Sequence, residues 1–111
     1  MARPPVKGGV GDELARALCA TIATMCGVAV EARTSRGWAS ATFSGQRHAL
    51  RLRLDGPAAT AAADRLLGGL DEREFALDGH ILADIAPVLD ERAADGRRVR
   101  LELEALTVEA A

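Results

Sequence analysis

The spacing of hydrophobic positions changes several times along this chain, and each change marks a new element. Leu14, Leu18, Ile22 and Met25 recur at intervals of four, four and three, and Ala15, Cys19 and Cys26 widen the stripe. That helical period predicts an amphipathic helix over 13–26, with Asp12 as N-cap and Gly27 as a left-handed stop. From residue 28 the period falls to two. Val28, Val30 and Ala32 alternate with Ala29, Glu31 and Arg33 in a first predicted strand. "TSRG" (34–37) reads as a turn, "WASATF" (38–43) as a second strand, and "SGQ" as another turn. "HALRLRL" (48–54) is the cleanest alternation. His48, Leu50, Leu52 and Leu54 face one way, while Arg47, Arg51 and Arg53 face the other. This is the pattern of an antiparallel meander with one buried face and one wet face.

"DGP" (55–57) ends the meander and opens a second helix with proline in its first turn. Ala59, Ala62, Ala63, Leu66, Leu67 and Leu70 form its apolar side, through about residue 69, and 71–78 read as a connector anchored by Phe75 and Leu77. The last third predicts a hairpin around "AADGR", where Asp95-Gly96 is a strong turn signal. Val99, Leu101 and Leu103 alternate with Arg98, Arg100, Glu102 and Glu104, and then Leu106 and Val108 become the apolar pair. That slip predicts a bulge near Ala105 or a change in which face is covered. The expected fold is α+β and two-layered, in the order α-β-β-β-α-β-β, with a mostly antiparallel five-stranded sheet covered on one face by two helices. Residues 1–10, rich in Pro and Gly, read as a flexible arm, and 11–111 as a single domain.

Composition sharpens the picture in one respect. The 111 residues suffice for one core, and 49% are hydrophobic, but 23 of them are Ala, with 2 Phe, 1 Trp and no Tyr. Alanine buries little area, so a single copy gains less than its apolar content suggests, which favours burial against a second subunit. A net charge of −2 points to neither nucleic acid nor an anionic membrane as partner. No apolar run approaches the roughly 20 residues of a spanning helix, and no signal-type segment follows the N-terminus, so a cytoplasmic location is expected. Cys19 and Cys26 on one helix would stand about 10.5 Å apart along its axis. That exceeds the roughly 7 Å Cα limit of a disulfide, so both read as free thiols.

Candidate chemistry is sparse. His80 and Asp84 point to one face of a strand but lie roughly 13 Å apart, too far to act as a pair or share a metal. His48 joins them only if its strand lies alongside. The cysteines lack close CxxC spacing, and no glycine stretch matches GxGxxG or GxxxxGK[ST]. No catalytic residue, cofactor or metal site is therefore expected. His48, Arg51, Arg53 and His80 remain as a candidate ligand or basic surface, with Arg47, Arg33 and Arg36 extending the stripe. Nucleic acid is disfavoured, because only Trp38 offers a stacking platform and Glu102, Glu104 and Asp84 stand ready as cross-strand partners.

The strand at 80–92 is more informative. Ile81, Ala83, Ile85 and Leu89 are expected to face the helices, leaving Leu82, Ala86 and Val88 uncovered. With Asp84 these form a candidate dimer or partner interface, and Pro87 marks a sheet edge or bulge. The element order resembles that of the small dimeric chaperones of type III secretion, which run helix, three strands, helix, two strands, helix. The likeness is of order alone, without a residue motif or the last helix, and it implies a dimer that binds a protein partner. The leading expectation is a non-enzymatic, cytoplasmic, homodimeric interaction module. The alternative is a small enzyme or ligand-binding domain with a pocket between sheet and helices, using His48, His80 or Asp84.

Overall fold

In the computed structural model, residues 9–110 are described. Of the arm expected at 1–10, residues 1–8 lie outside the described residues, Gly9 is the N-cap of the first helix and Val10 its first residue. Helix α1 spans Val10–Ile22. It starts three residues earlier than expected, because the Gly9 carbonyl accepts the N–H groups of both Asp12 and Glu13, each at 3.0 Å. Asp12 therefore sits inside the first turn, where it and Glu13 face the positive end of the helix dipole. The helix buries Leu14, Leu18 and Ile22 completely. It ends at Ile22, four residues before the expected stop, and Gly27 is the first residue of a strand without a positive φ.

Strand β1 runs Gly27–Ala39 and β2 Ser44–Asp55. The expected turn at 34–37 is absent: Thr34, Ser35, Arg36 and Gly37 pair with Ala49, His48, Arg47 and Gln46 in an unbroken ladder. The real turn lies at 40–43. Ser40 Oγ accepts the backbone N–H of Thr42 and Phe43, and Ser40 N–H donates to the Phe43 carbonyl at 2.7 Å. Two short expected strands are thus one long one, and the sheet has four strands instead of five. The order of the secretion chaperones is correspondingly not matched strand for strand.

Helix α2 spans Ala59–Leu67, followed by a 3-10 turn at Leu70–Glu72. Its Ala59, Ala62 and Ala63 are fully buried. With nothing beyond Cβ, they let the helix lie close over β2 and over β4. Strands β3 (His80–Arg92) and β4 (Arg98–Glu109) form the expected hairpin. Gly96 takes φ 71°, and Asp95 Oδ1 accepts the Arg97 N–H at 2.9 Å, which closes the turn.

The sheet is antiparallel throughout, in the order β1-β2-β4-β3. Both helices lie on one face, and the other face carries no element of the described chain. β4 does not change phase at Ala105: Val99, Leu101, Leu103, Ala105 and Thr107 are all buried, and its pairing to β2 runs without a shift. The irregularities fall on its other neighbour. β3 holds one extra residue at Ala83 and another at Val88 relative to β4.

Candidate functional site

The two bulges in β3 decide which residues the sheet exposes, because each shifts the alternation by one. Leu82 pairs with buried Thr107 and packs against the core, so it lies on the covered face, contrary to the expected outward position. Ile81 pairs with Val108 and Leu89 with Glu102, so both belong to the open face rather than the helix side. Ile81 is 61% exposed and Val88 53%. Asp84 and Ala86 stand on the open face, paired with Leu106 and Glu104. Of the four residues expected at an interface, three are on the open surface and one is under the helices.

The histidines lie on the opposite, covered side. His48 is 2% exposed. Its Nδ1 is 2.8 Å from Ser35 Oγ on β1 and its Nε2 is 2.9 Å from Thr107 Oγ1 on β4. Thr107 also donates to the Gln46 carbonyl at 3.4 Å. An Nε2–H tautomer completes this chain in one direction, with the Ser35 hydroxyl donating to Nδ1. Burial, then the Arg33 charge, then His80 hold the His48 pKa below its ordinary 6.5. While His48 lies at the register of Ala105, His80 lies on the same covered face at that of Glu109. Its Nδ1–H donates to the Asp78 carbonyl at 3.0 Å, and its buried Nε2 has no partner among the described residues. All four strands contribute to this polar row, and the first turn of α1 closes over it. A Cβ on Gly11 would collide with Ser35 Oγ and come within 2.8 Å of Arg33 Nη1 and 3.1 Å of His48 Nδ1.

The row has the residues of a serine–histidine pair without the electrostatics of one. A general base must become imidazolium, which a carboxylate on the far nitrogen stabilises. Here the far nitrogen meets a threonine hydroxyl, and Arg33 and His80 both oppose the cation. Asp84, the one acid expected to join the histidines, is on the other side of the sheet. Among the described residues no cluster of three His, Cys, Asp or Glu side chains is placed to hold a metal ion. The cysteines are free, and burial, joined at Cys26 by the Asp55 charge, raises both thiol pKa values.

The open face divides into two halves along the strands. In one half the basic stripe is internally paired. Arg51 contacts Glu102 at 2.5 Å, Arg53 contacts Asp55 at 2.8 Å and Glu31 at 3.4 Å, and Arg100 contacts Glu31 at 3.6 Å. Glu31 is free to do this because it is the extra residue of a bulge between Val30 and Ala32. The other half is a groove of about 440 Å³, whose lining includes Thr34, Arg36, Arg47, Asp84, Glu104 and Leu106. No described partner of opposite charge lies within ion-pairing distance of Arg36, Arg47, Asp84 or Glu104. Arg36, expected to extend the basic stripe, does stand on the open face, while Arg33 pairs with buried Leu50 and lies on the covered face beside Gly11. Ile81, expected on the helix side, is on the open face, since the bulges of β3 shift its alternation and leave no local mark in the sequence.

No helix among the described residues is long and apolar enough to cross a membrane. No protein-family model matches the chain, and no curated protein matches it. Among solved structures, the chain is similar to one from the virion of a native gene transfer agent particle, with a TM-score of 0.45 and 14% identity over 99% of this chain and 76% of that one.

Proposed function

We propose that this chain is a non-enzymatic interaction module that forms a homodimer through the open face of its sheet. One observation carries the reading: a four-stranded sheet has both helices on one side, while on the other Ile81 stands exposed beside half-buried Val108 and Val88 stands exposed farther along the same strand. Large apolar side chains left exposed along an uncovered sheet face are what a partner would bury. An enzymatic reading draws on His48 and His80 sharing the covered face, but His48 is consumed by two internal hydrogen bonds and Asp84 stands on the opposite face. A polyanion-binding reading loses Arg51 and Arg53 to their internal carboxylates. The unbridged, protonated thiols fit a reducing compartment, so the cytoplasm is the proposed location.

Light scattering on the wild type and on an Ile81→Glu, Val88→Glu variant tests the proposal. The wild type elutes with the mass of a dimer, and the variant elutes as a monomer with an unchanged far-UV spectrum. A wild type that stays monomeric at the highest concentration reached overturns it.

A further inference from the structure

We propose that two copies meet face to face about a two-fold axis parallel to the strands, between β2 and β4, so that Arg36 of each copy lies against Asp84 of the other. This rests on the self-association proposed above and supplies its geometry.

The register places four residues side by side across the whole sheet. Arg36 on β1 pairs with Arg47 on β2, Arg47 with Leu106 on β4, and Leu106 with Asp84 on β3. All four line the same groove on the open face. Read across, the row is positive, positive, apolar, negative. The adjacent row, Thr34, Ala49, Glu104 and Ala86, adds a second carboxylate on the β4 side. Positive charge is thus gathered on the β1–β2 half of this groove and negative charge on the β4–β3 half. Two arginines directly opposite each other on neighbouring strands repel. Elsewhere on this face such charges are neutralised internally, as Arg51, Arg53 and Arg100 are. In the groove, no described residue does so.

Symmetry then selects the arrangement. A homodimer has a two-fold axis, and relative to a sheet that axis has three principal directions. Normal to the sheet, it joins edges and leaves the open face uncovered. In the plane but across the strands, it lays β1 over β1, so the arginine half meets the arginine half. Parallel to the strands, it exchanges left and right while keeping each row at its own level. The row then meets its own reverse: Arg36 faces Asp84, Arg47 lays its aliphatic stem over Leu106, and Glu104 is one row away from the Arg47 head. Stacked sheets stand about 10 Å apart, a gap that an arginine and an aspartate together span. At ordinary strand spacing the face offers roughly 750 Å² in projection, close to the roughly 800 Å² that each partner contributes to a standard interface.

Charge reversal tests the pairing. Arg36→Asp alone places two acids together at each end of the row, and Asp84→Arg alone places two bases there. Each single variant weakens the dimer about tenfold or more, measured by dilution in light scattering. An equimolar mixture of the two recovers the wild-type dimer mass, because the acid introduced in one copy then meets the base introduced in the other. The double variant recovers it as well. A mixture that stays monomeric while the double variant dimerises shows pairing within one chain and overturns the inference. Single variants that dimerise like the wild type overturn it too, while loss of the dimer in Ile81→Glu, Val88→Glu keeps the broader reading. If that variant also remains dimeric, the open face is not the interface and both fail. Retention of the wild type on an immobilised polyanion that competes with dimer formation names a different occupant and equally overturns the inference.

Discussion

Replacing Gly11 with alanine sets two effects of opposite sign against each other. At an unconstrained helical site the change gains about 0.5–1 kcal/mol, since glycine loses more backbone freedom on folding. Here the added methyl occupies the space of Ser35 Oγ and crowds Arg33 and His48. The arginine head is the end of a flexible side chain and can move away. The serine hydroxyl cannot move without breaking its 2.8 Å bond to His48 Nδ1, on a ring that is 2% exposed. A buried ring nitrogen left without a partner costs about 1–3 kcal/mol. The expected net effect is a loss of roughly 0.5–2 kcal/mol. For a domain near this size, each kcal/mol lowers Tm by about 4–8 °C. Urea unfolding followed by circular dichroism, at one fixed protein concentration, measures it. A second variant separates collision from other causes. In a Ser35→Gly background the obstruction is gone, so Gly11→Ala becomes neutral or stabilising, and the cycle shows coupling between the two sites. If Gly11→Ala alone stabilises the protein as it would an exposed helix, α1 does not rest on the polar row as described.

Two further expectations concern the core and its histidine. Leu101→Ala removes a fully buried side chain between Leu52 of β2 and β3, and is expected to cost about 2–5 kcal/mol in urea unfolding; a cost under about 1 kcal/mol contradicts its central position. His48 has a lowered pKa, so the unfolded chain takes up its proton first; stability is full above 6.5 and falls as pH drops from there towards the depressed folded value. Urea midpoints across that window show the slope, His48→Gln flattens it, and a flat wild-type profile refutes the assignment. Asp55 acts in a separate range, because Arg98 first and Arg53 next hold its carboxyl below the usual 3.8, so its contribution is lost only as pH falls to that value and beyond.

What could be read in advance was whatever depends on strict local alternation. Leu50, Leu52 and Leu54 against Arg47, Arg51 and Arg53 marked β2, and Asp95-Gly96 marked the β3–β4 turn. β1 was misread because Thr34, Ser35 and Gly37 have turn chemistry, yet an edge strand that gains a full ladder from β2 tolerates them. Thr107 was overlooked beside the larger Leu106 and Val108, and it is buried because His48 satisfies its hydroxyl. That partner lies 59 residues away. The faces of β3 were unreadable for a related reason. A bulge is a mismatch of count between two strands, and nothing in "ILADIAPVL" alone says that Ala83 and Val88 are the surplus residues.

The strand order β1-β2-β4-β3 also has a kinetic consequence. Each hairpin closes locally, but the central ladder joins β2 to β4, and even its closest pair, Asp55 and Arg98, is separated by 43 residues. A chain emerging from the ribosome can pair β1 with β2 early, yet the leucine row of β2 has no second neighbour until β4 has been made. The entropy of closing that long loop is spent before the core repays it, so formation of the β2–β4 ladder is expected to limit the folding rate. The nascent protein is most vulnerable to aggregation in the interval between completion of β2 and arrival of β4, when Leu50, Leu52 and Leu54 lack half of their cover.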